Sequence, residues 1–213
     1  MITFILDDGY KAEYDLAFPL FKEYGVKGCS AVTSNFIGKT KEGTNEPYSN
    51  LSQLLEMQKY GWEILSHGKD HKELAKLSVY ESESEIKFSK LDLVGMGFNV
   101  NGLVAPCHSY NNDVRYLASQ TYKYIRGHHG TDVSDVYNLG GILIDDHTQL
   151  ELYKLYIDRC NGHINRKHLV FYCHMCTSKF IASTLTDRLN TLQELIEYCK
   201  SKNIAIKTLK EMI

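Results

Sequence analysis

The chain opens with an apolar run, Ile2-Thr3-Phe4-Ile5-Leu6, that stops abruptly at Asp7-Asp8-Gly9. A short unbroken apolar run bounded by a turn signal reads as a strand buried on both faces, as in a parallel sheet. This strand delivers two adjacent carboxylates to its C-terminal mouth, which is where α/β folds collect binding and catalysis. Two neighbouring carboxylates in a confined site stay ionised together only when a cation lies close, so the pair calls for a metal or a basic partner.

Helical and strand patterns alternate along the rest of the chain. Ala12, Leu16, Leu20 and Phe21 keep helical spacing up to Gly25, and 26–33 reads as a second strand, giving a βαβ opening. Residues 35–50, rich in Gly, Lys, Thr and Asn, read as a loop suited to a mobile flap. An amphipathic segment at 52–60 ends at Gly61, and a short strand at 62–66 delivers His67. Helical patterns at 78–98 and 112–120 alternate with strands at 103–105 and 122–126. The pattern then weakens until 168–173, a continuous apolar strand that ends at His174; a helix at 186–201 and a strand at 204–206 close the chain. The expectation is one domain over 1–213, mainly parallel α/β, closed or partly closed into a barrel.

Composition narrows the partners. With 24 Lys and Arg against 26 Asp and Glu, well mixed along 213 residues, no field favours nucleic acid or an anionic membrane. No apolar run approaches the roughly 20 residues of a membrane span, and no secretory leader pattern is seen, so a soluble, cytoplasmic protein is expected. Six cysteines spread over a chain of this size favour reduced thiols.

Three polar groups carry the chemistry. His67-Gly68-Lys69-Asp70-His71 spaces two imidazoles four residues apart, so that a tight turn brings both rings to one side, and Asp8 can complete a His-His-Asp metal site with a position open for water. His174, at the end of a strongly apolar strand, reads either as a partly desolvated acid or base or as a hydrogen-bonded core histidine. Cys173-His174-Met175-Cys176 has CxxC spacing, but no second CxxC accompanies it, which leaves a redox or structural zinc role a minor reading.

Taken in order, LDDG, SHGKDH, APCHSYN and an apolar strand into CH resemble the polysaccharide deacetylases of carbohydrate esterase family 4, the NodB-homology domain. The resemblance runs from Ile2 to Met212. It implies a distorted (β/α) barrel of the polysaccharide deacetylase type, with its groove at the strand C-termini. It also implies a divalent metal, zinc first with Co2+, Mn2+ or Ni2+ as alternatives, held by Asp8, His67 and His71. Asp7 is then the base, His174 the general acid, and Pro106, Cys107 and Tyr110 the groove and oxyanion wall. The implied substrate is an N-acetylated glycan, with O-deacetylation of a xylan-type ester and a catalytically silent carbohydrate binder as the alternatives. Such a substrate suits an excised catalytic domain or a phage-encoded protein acting on the cell envelope as well as an intracellular enzyme.

The chain departs from the family pattern at three places. Leu6 stands where Phe is usual. Gly68 stands where Ser or Thr is usual, which removes a hydroxyl that would brace the ligand loop. Val104-Ala105-Pro106-Cys107-His108 replaces Arg-x-Pro-Tyr-Gly, which removes an arginine that orients the catalytic aspartate, while Ser109-Tyr110-Asn111 fits a branch that also lacks it. Between 126 and 158, His128, His129, Asp145, Asp146 and His147 tempt a second metal site, but the glycines around them read as solvated loops.

Overall fold

Among the described residues, seven parallel strands close on themselves in chain order, so that the last lies against the first. They are β1 (Ile2–Asp8), β2 (Cys29–Val32), β3 (Glu63–Ser66), β4 (Gly102–Val104), β5 (Tyr124–His129), β6 (Leu139–Leu143) and β7 (Leu169–His174). The computed structural model describes residues 1–162, 168–177 and 183–213. No described helix is long and apolar enough to cross a membrane.

Side-chain alternation along β1 builds both layers of the core. Phe4 and Leu6 turn outward into the large cluster shared with the helices, whereas Ile5 joins Val104, Tyr124, Val170 and Tyr172 inside the barrel. In the β1–β7 register Ile5 faces Tyr172 and Asp7 faces His174. The period of two that buries Ile5 therefore raises Asp7 and His174 together at the mouth.

The covering helices begin where their caps dictate. The short α1 (Phe18–Glu23) continues a π-helical turn at Glu13–Ala17. Asn50 with Gln53, Ser78 with Glu81, and Thr184 with Asp187 form capping boxes that start α2 (Leu51–Tyr60), α3 (Val79–Gly95) and, after α4 (Asn112–Ser119) and α5 (Leu150–Gly162), α6 (Leu185–Ser201).

Three expectations need correction. The closing strand at 204–206 is only an isolated bridge, Ile206 to Ile2. The 35–50 segment is not featureless: bridges at Thr40–Pro47 and Tyr10–Tyr48 fold it into a hairpin pinned to the residues after β1. Finally, β6 and α5 occupy the stretch where the sequence pattern is weak. β6 contains Gly140 and Gly141, which look like loop residues, yet a Cβ on Gly141 would come within 3.1 Å of Arg126 Cδ and of the Tyr172 ring. The glycine is there for close approach inside a strand. In α5, Leu152 and Leu155 remain exposed while Tyr153, Ile157 and Cys160 are buried, which blurs the amphipathic stripe.

Candidate active site

At the end of β1 the backbone turns sharply, with Asp8 at φ +84°, a left-handed conformation that Asp tolerates better than most residues. Glu13, fully buried beneath, braces this turn. One of its oxygens accepts from the N–H groups of Gly9 (2.9 Å) and Tyr10 (3.0 Å), and the other accepts from Ser30 Oγ at 2.5 Å. Burial pushes its carboxyl well above the usual range, against these hydrogen bonds.

The turn aims Asp8 at the two histidines that follow β3. Asp8 Oδ1 lies 3.3 Å from His67 Nε2 and 3.1 Å from His71 Nε2. His67 Nδ1 lies 2.8 Å from the carbonyl of Val104 on β4, and since a carbonyl only accepts, that nitrogen carries a proton and Nε2 is the ring nitrogen turned towards Asp8. Asp8 Oδ1 is buried and has no hydrogen-bond partner. Burial would raise the Asp8 carboxyl, but the two imidazoles outweigh it and hold it well below the usual range.

Three inward donor atoms all within 4.8 Å of one another, one of them an orphaned carboxylate oxygen, fit a divalent cation. A tetrahedral ion with bonds of about 2.0–2.2 Å holds its ligand atoms about 3.3–3.6 Å apart, close to the two spacings between Asp8 and the imidazoles. The donor set does not discriminate zinc from cobalt, manganese or nickel.

The ligand loop is braced without a hydroxyl at position 68. Glu85 of α3, only 4% exposed, accepts from the N–H groups of Lys69 (3.0 Å) and Asp70 (2.9 Å) through the same oxygen. Ser89 Oγ donates to the Gly68 carbonyl at 2.9 Å. Gly68 itself sits at φ +75°, where any side chain is strained.

Asp7, 2% exposed, accepts a hydrogen bond from Arg126 Nη2, and its other oxygen is buried without a partner. The arginine comes from β5, and its guanidinium carbon lies 4.0 Å from the centroid of Tyr172. An arginine beside the first carboxylate is thus present, supplied by β5 rather than from position 104 at the end of β4.

His174 is held by a carboxylate whose sequence context is that of a solvated loop. Asp145 follows β6, is buried, and accepts from the backbone N–H of His174 at 2.9 Å and from its Nδ1 at 2.8 Å. Burial works against charge on this imidazole, but the Asp145 bond and the carboxylates of Asp7 and Asp8 prevail and push it up to about 9. The β6–β7 register, Leu143 opposite Tyr172, brings Asp145 beside His174, so recognising β6 in the sequence is the signal that would find this partner.

One cavity of about 250 Å³ is lined by Asp7, Asp8, His67, His71, Cys107 and His174, with Arg126, His108, His129 and Tyr172 among its other walls. Pro106 and Tyr110 are not among its lining residues: Pro106 is buried in the turn below, and the Tyr110 hydroxyl donates to the carbonyl of Tyr137. His108 lies with its Nε2 2.8 Å from the Tyr172 hydroxyl, and burial, with help from the charge of Arg126, lowers its imidazole to about 3. Cys173 and Cys176 are both buried, and burial raises the Cys173 thiol well above its ordinary value, the opposite of a reactive redox cysteine. Among the described residues the 126–158 polar group does not form a metal cluster.

The family model described as polysaccharide deacetylase matches residues 1–125. The chain is 33% identical over 122 residues to YxkH of Bacillus subtilis (strain 168), an alignment covering 57% of this chain and 41% of YxkH, so it spans about two fifths of that relative's length. Among solved structures it resembles the Xyl-CE4 domain of a multidomain xylanase from the hindgut metagenome of Trinervitermes trinervoides, with TM-score 0.64 and 18% identity over 99% of this chain and 87% of that one. It also resembles the Streptococcus pyogenes deacetylase PplD in complex with acetate, with TM-score 0.59 and 25% identity over 66% of this chain and 62% of that one.

Proposed function

Because this chain belongs to the polysaccharide deacetylase family, carbohydrate esterase family 4, we propose that it is a metal-dependent hydrolase that removes acetyl groups from the nitrogen of N-acetylglucosamine-type sugars in a glycan. The observation that carries the reading is the meeting, in one cavity, of a three-atom cation site, a carboxylate outside that site and a carboxylate-held imidazole.

Asp8, His67 and His71 would hold the ion. A divalent cation there supplies Lewis-acid polarisation of the amide carbonyl and lowers the pKa of water towards about 7. Asp7, kept in place by Arg126, accepts a proton from the attacking water. His174, charged through neutral pH, gives its proton to the leaving amine nitrogen as the C–N bond breaks, so that water and amide become acetate and free amine. Asp145 fixes the ring so that Nε2 is the nitrogen left for that transfer. The backbone N–H of Cys107 is the donor this turn offers the developing oxyanion, since Pro106 has no N–H and that of His108 donates to the Ala105 carbonyl.

Two variants test these roles. Asp7→Asn and His174→Asn should each lower acetate release by about a hundredfold or more while the zinc bound per chain is unchanged. Undiminished turnover in both removes the assignment. A matched panel of amide and ester substrates separates the N-acetyl reading from O-acetyl hydrolysis.

A further inference from the structure

Beside the catalytic cavity lies a second one of about 470 Å³, and the two share Asp8 and His71. Its outer wall is the hairpin that follows β2. That hairpin is fastened to the carboxylate turn itself: Ser49 N–H donates to the Gly9 carbonyl at 2.9 Å, and Lys11 N–H donates to the Pro47 carbonyl at 2.9 Å. Whatever occupies this second cavity is therefore held at a fixed distance from Asp8.

The hairpin contributes two ammonium groups, Lys39 and Lys41. Lys41 is half-buried; its Nζ donates to the Tyr10 hydroxyl at 2.7 Å and lies 5.4 Å from that ring's centroid. Tyr10 is buried and stacked on Tyr48, with centroids 5.0 Å apart, so the lysine is propped by a rigid floor. An ammonium has three donors, and the tyrosine takes one. Among the described residues no carboxylate lies within ion-pair distance of Lys39 or Lys41, whereas Lys76 and Lys87 have one each. The acidic groups of the same cavity are otherwise occupied or peripheral. Asp8 faces the imidazoles, Asp70 accepts from the Asn35 amide, and Glu42 is exposed at the rim.

A propped, half-buried cation with spare donors beside an acyl-transfer site is matched by an anion. We propose that this second cavity receives a carboxylate carried by the glycan, with Lys41 as its principal partner and Lys39 as a second. The substrate is then an acidic N-acetylated glycan rather than a neutral one. This rests on the deacetylase reading above and specifies its substrate class.

The test uses the zinc-loaded protein and three matched N-acetylglucosamine oligomers: one unmodified, one carrying a C6 carboxylate and one carrying a 3-O-lactyl ether carboxylate. At least one carboxylated oligomer should exceed the neutral one in kcat/KM by about tenfold, through KM, the factor one charge-assisted hydrogen bond supplies. Lys41→Met should abolish that preference and leave kcat on the neutral oligomer unchanged, and Lys41→Arg should restore it. Equal use of all three oligomers by the wild type, or a preference that survives Lys41→Met, overturns the proposal. Absence of acetate release from every oligomer overturns the deacetylase reading instead. Calorimetric binding then decides the subsite: tighter binding of a carboxylated oligomer to the wild type than to Lys41→Met supports it, and equal binding refutes it.

Discussion

Arg126 on β5 donates a hydrogen bond to the Oδ2 oxygen of Asp7 on β1, joining two buried charges 119 positions apart in the chain. The family pattern places such an arginine at the end of β4; here Val104 stands at that position and the partner arrives from the next strand. Gly141 of β6 leaves the room through which the side chain passes.

Breaking this pair strands a charge. Both side chains are almost wholly buried, so Arg126→Met should cost about 3–5 kcal/mol of stability, read from denaturant unfolding. Adding Asp7→Asn to Arg126→Met should recover part of that loss. Additive losses in the double variant would show that the two groups are not coupled.

The pH profile reports the second carboxylate. As the proposed general acid, His174 acts in its charged form, and its folded pKa is raised to about 9, so activity is expected to hold below that value and fall as pH rises through it. A bound cation draws this alkaline limb downward in every variant alike. Asp145→Asn removes a negative charge and should therefore shift the limb to lower pH, by about 1–3 pH units relative to the wild type. An unmoved limb would mean that Asp145 does not set the charge of His174.

The brace under the ligand loop bears on metal affinity. Glu85→Ala leaves the N–H groups of Lys69 and Asp70 without an acceptor and should weaken zinc binding by about 10–100-fold in a competition titration. Glu85→Gln keeps a carbonyl oxygen at the same place and should retain most of the affinity. Equal affinity in Glu85→Ala and wild type would transfer the bracing role to Ser89, which holds the Gly68 carbonyl.

Legible in the sequence is whatever a strand end displays directly. Asp7, Asp8, His67 and His174 each follow an apolar run, and the ordering of strands and helices is clear enough to anticipate the barrel. The groups that position them are not legible in the same way. Asp145 and Arg126 depend on β6, whose Gly140 and Gly141 serve close packing yet carry the local signature of a loop. Glu13 and Glu85 sit on helices among other charges, and only tertiary structure distinguishes a buried brace from a solvated glutamate. The 204–206 segment misleads for the opposite reason: its apolar alternation is that of a strand, but it makes a single bridge to Ile2.

The first experiment to perform is acetate release from N-acetylglucosamine oligomers by chelated protein, before and after addition of one equivalent of zinc. No release from the chelated protein, and turnover restored by zinc but not in His67→Ala or His71→Ala, is the predicted result. Full turnover without metal, or none from any acetylated glycan once zinc is stoichiometrically bound, would contradict the proposed metal-dependent deacetylase.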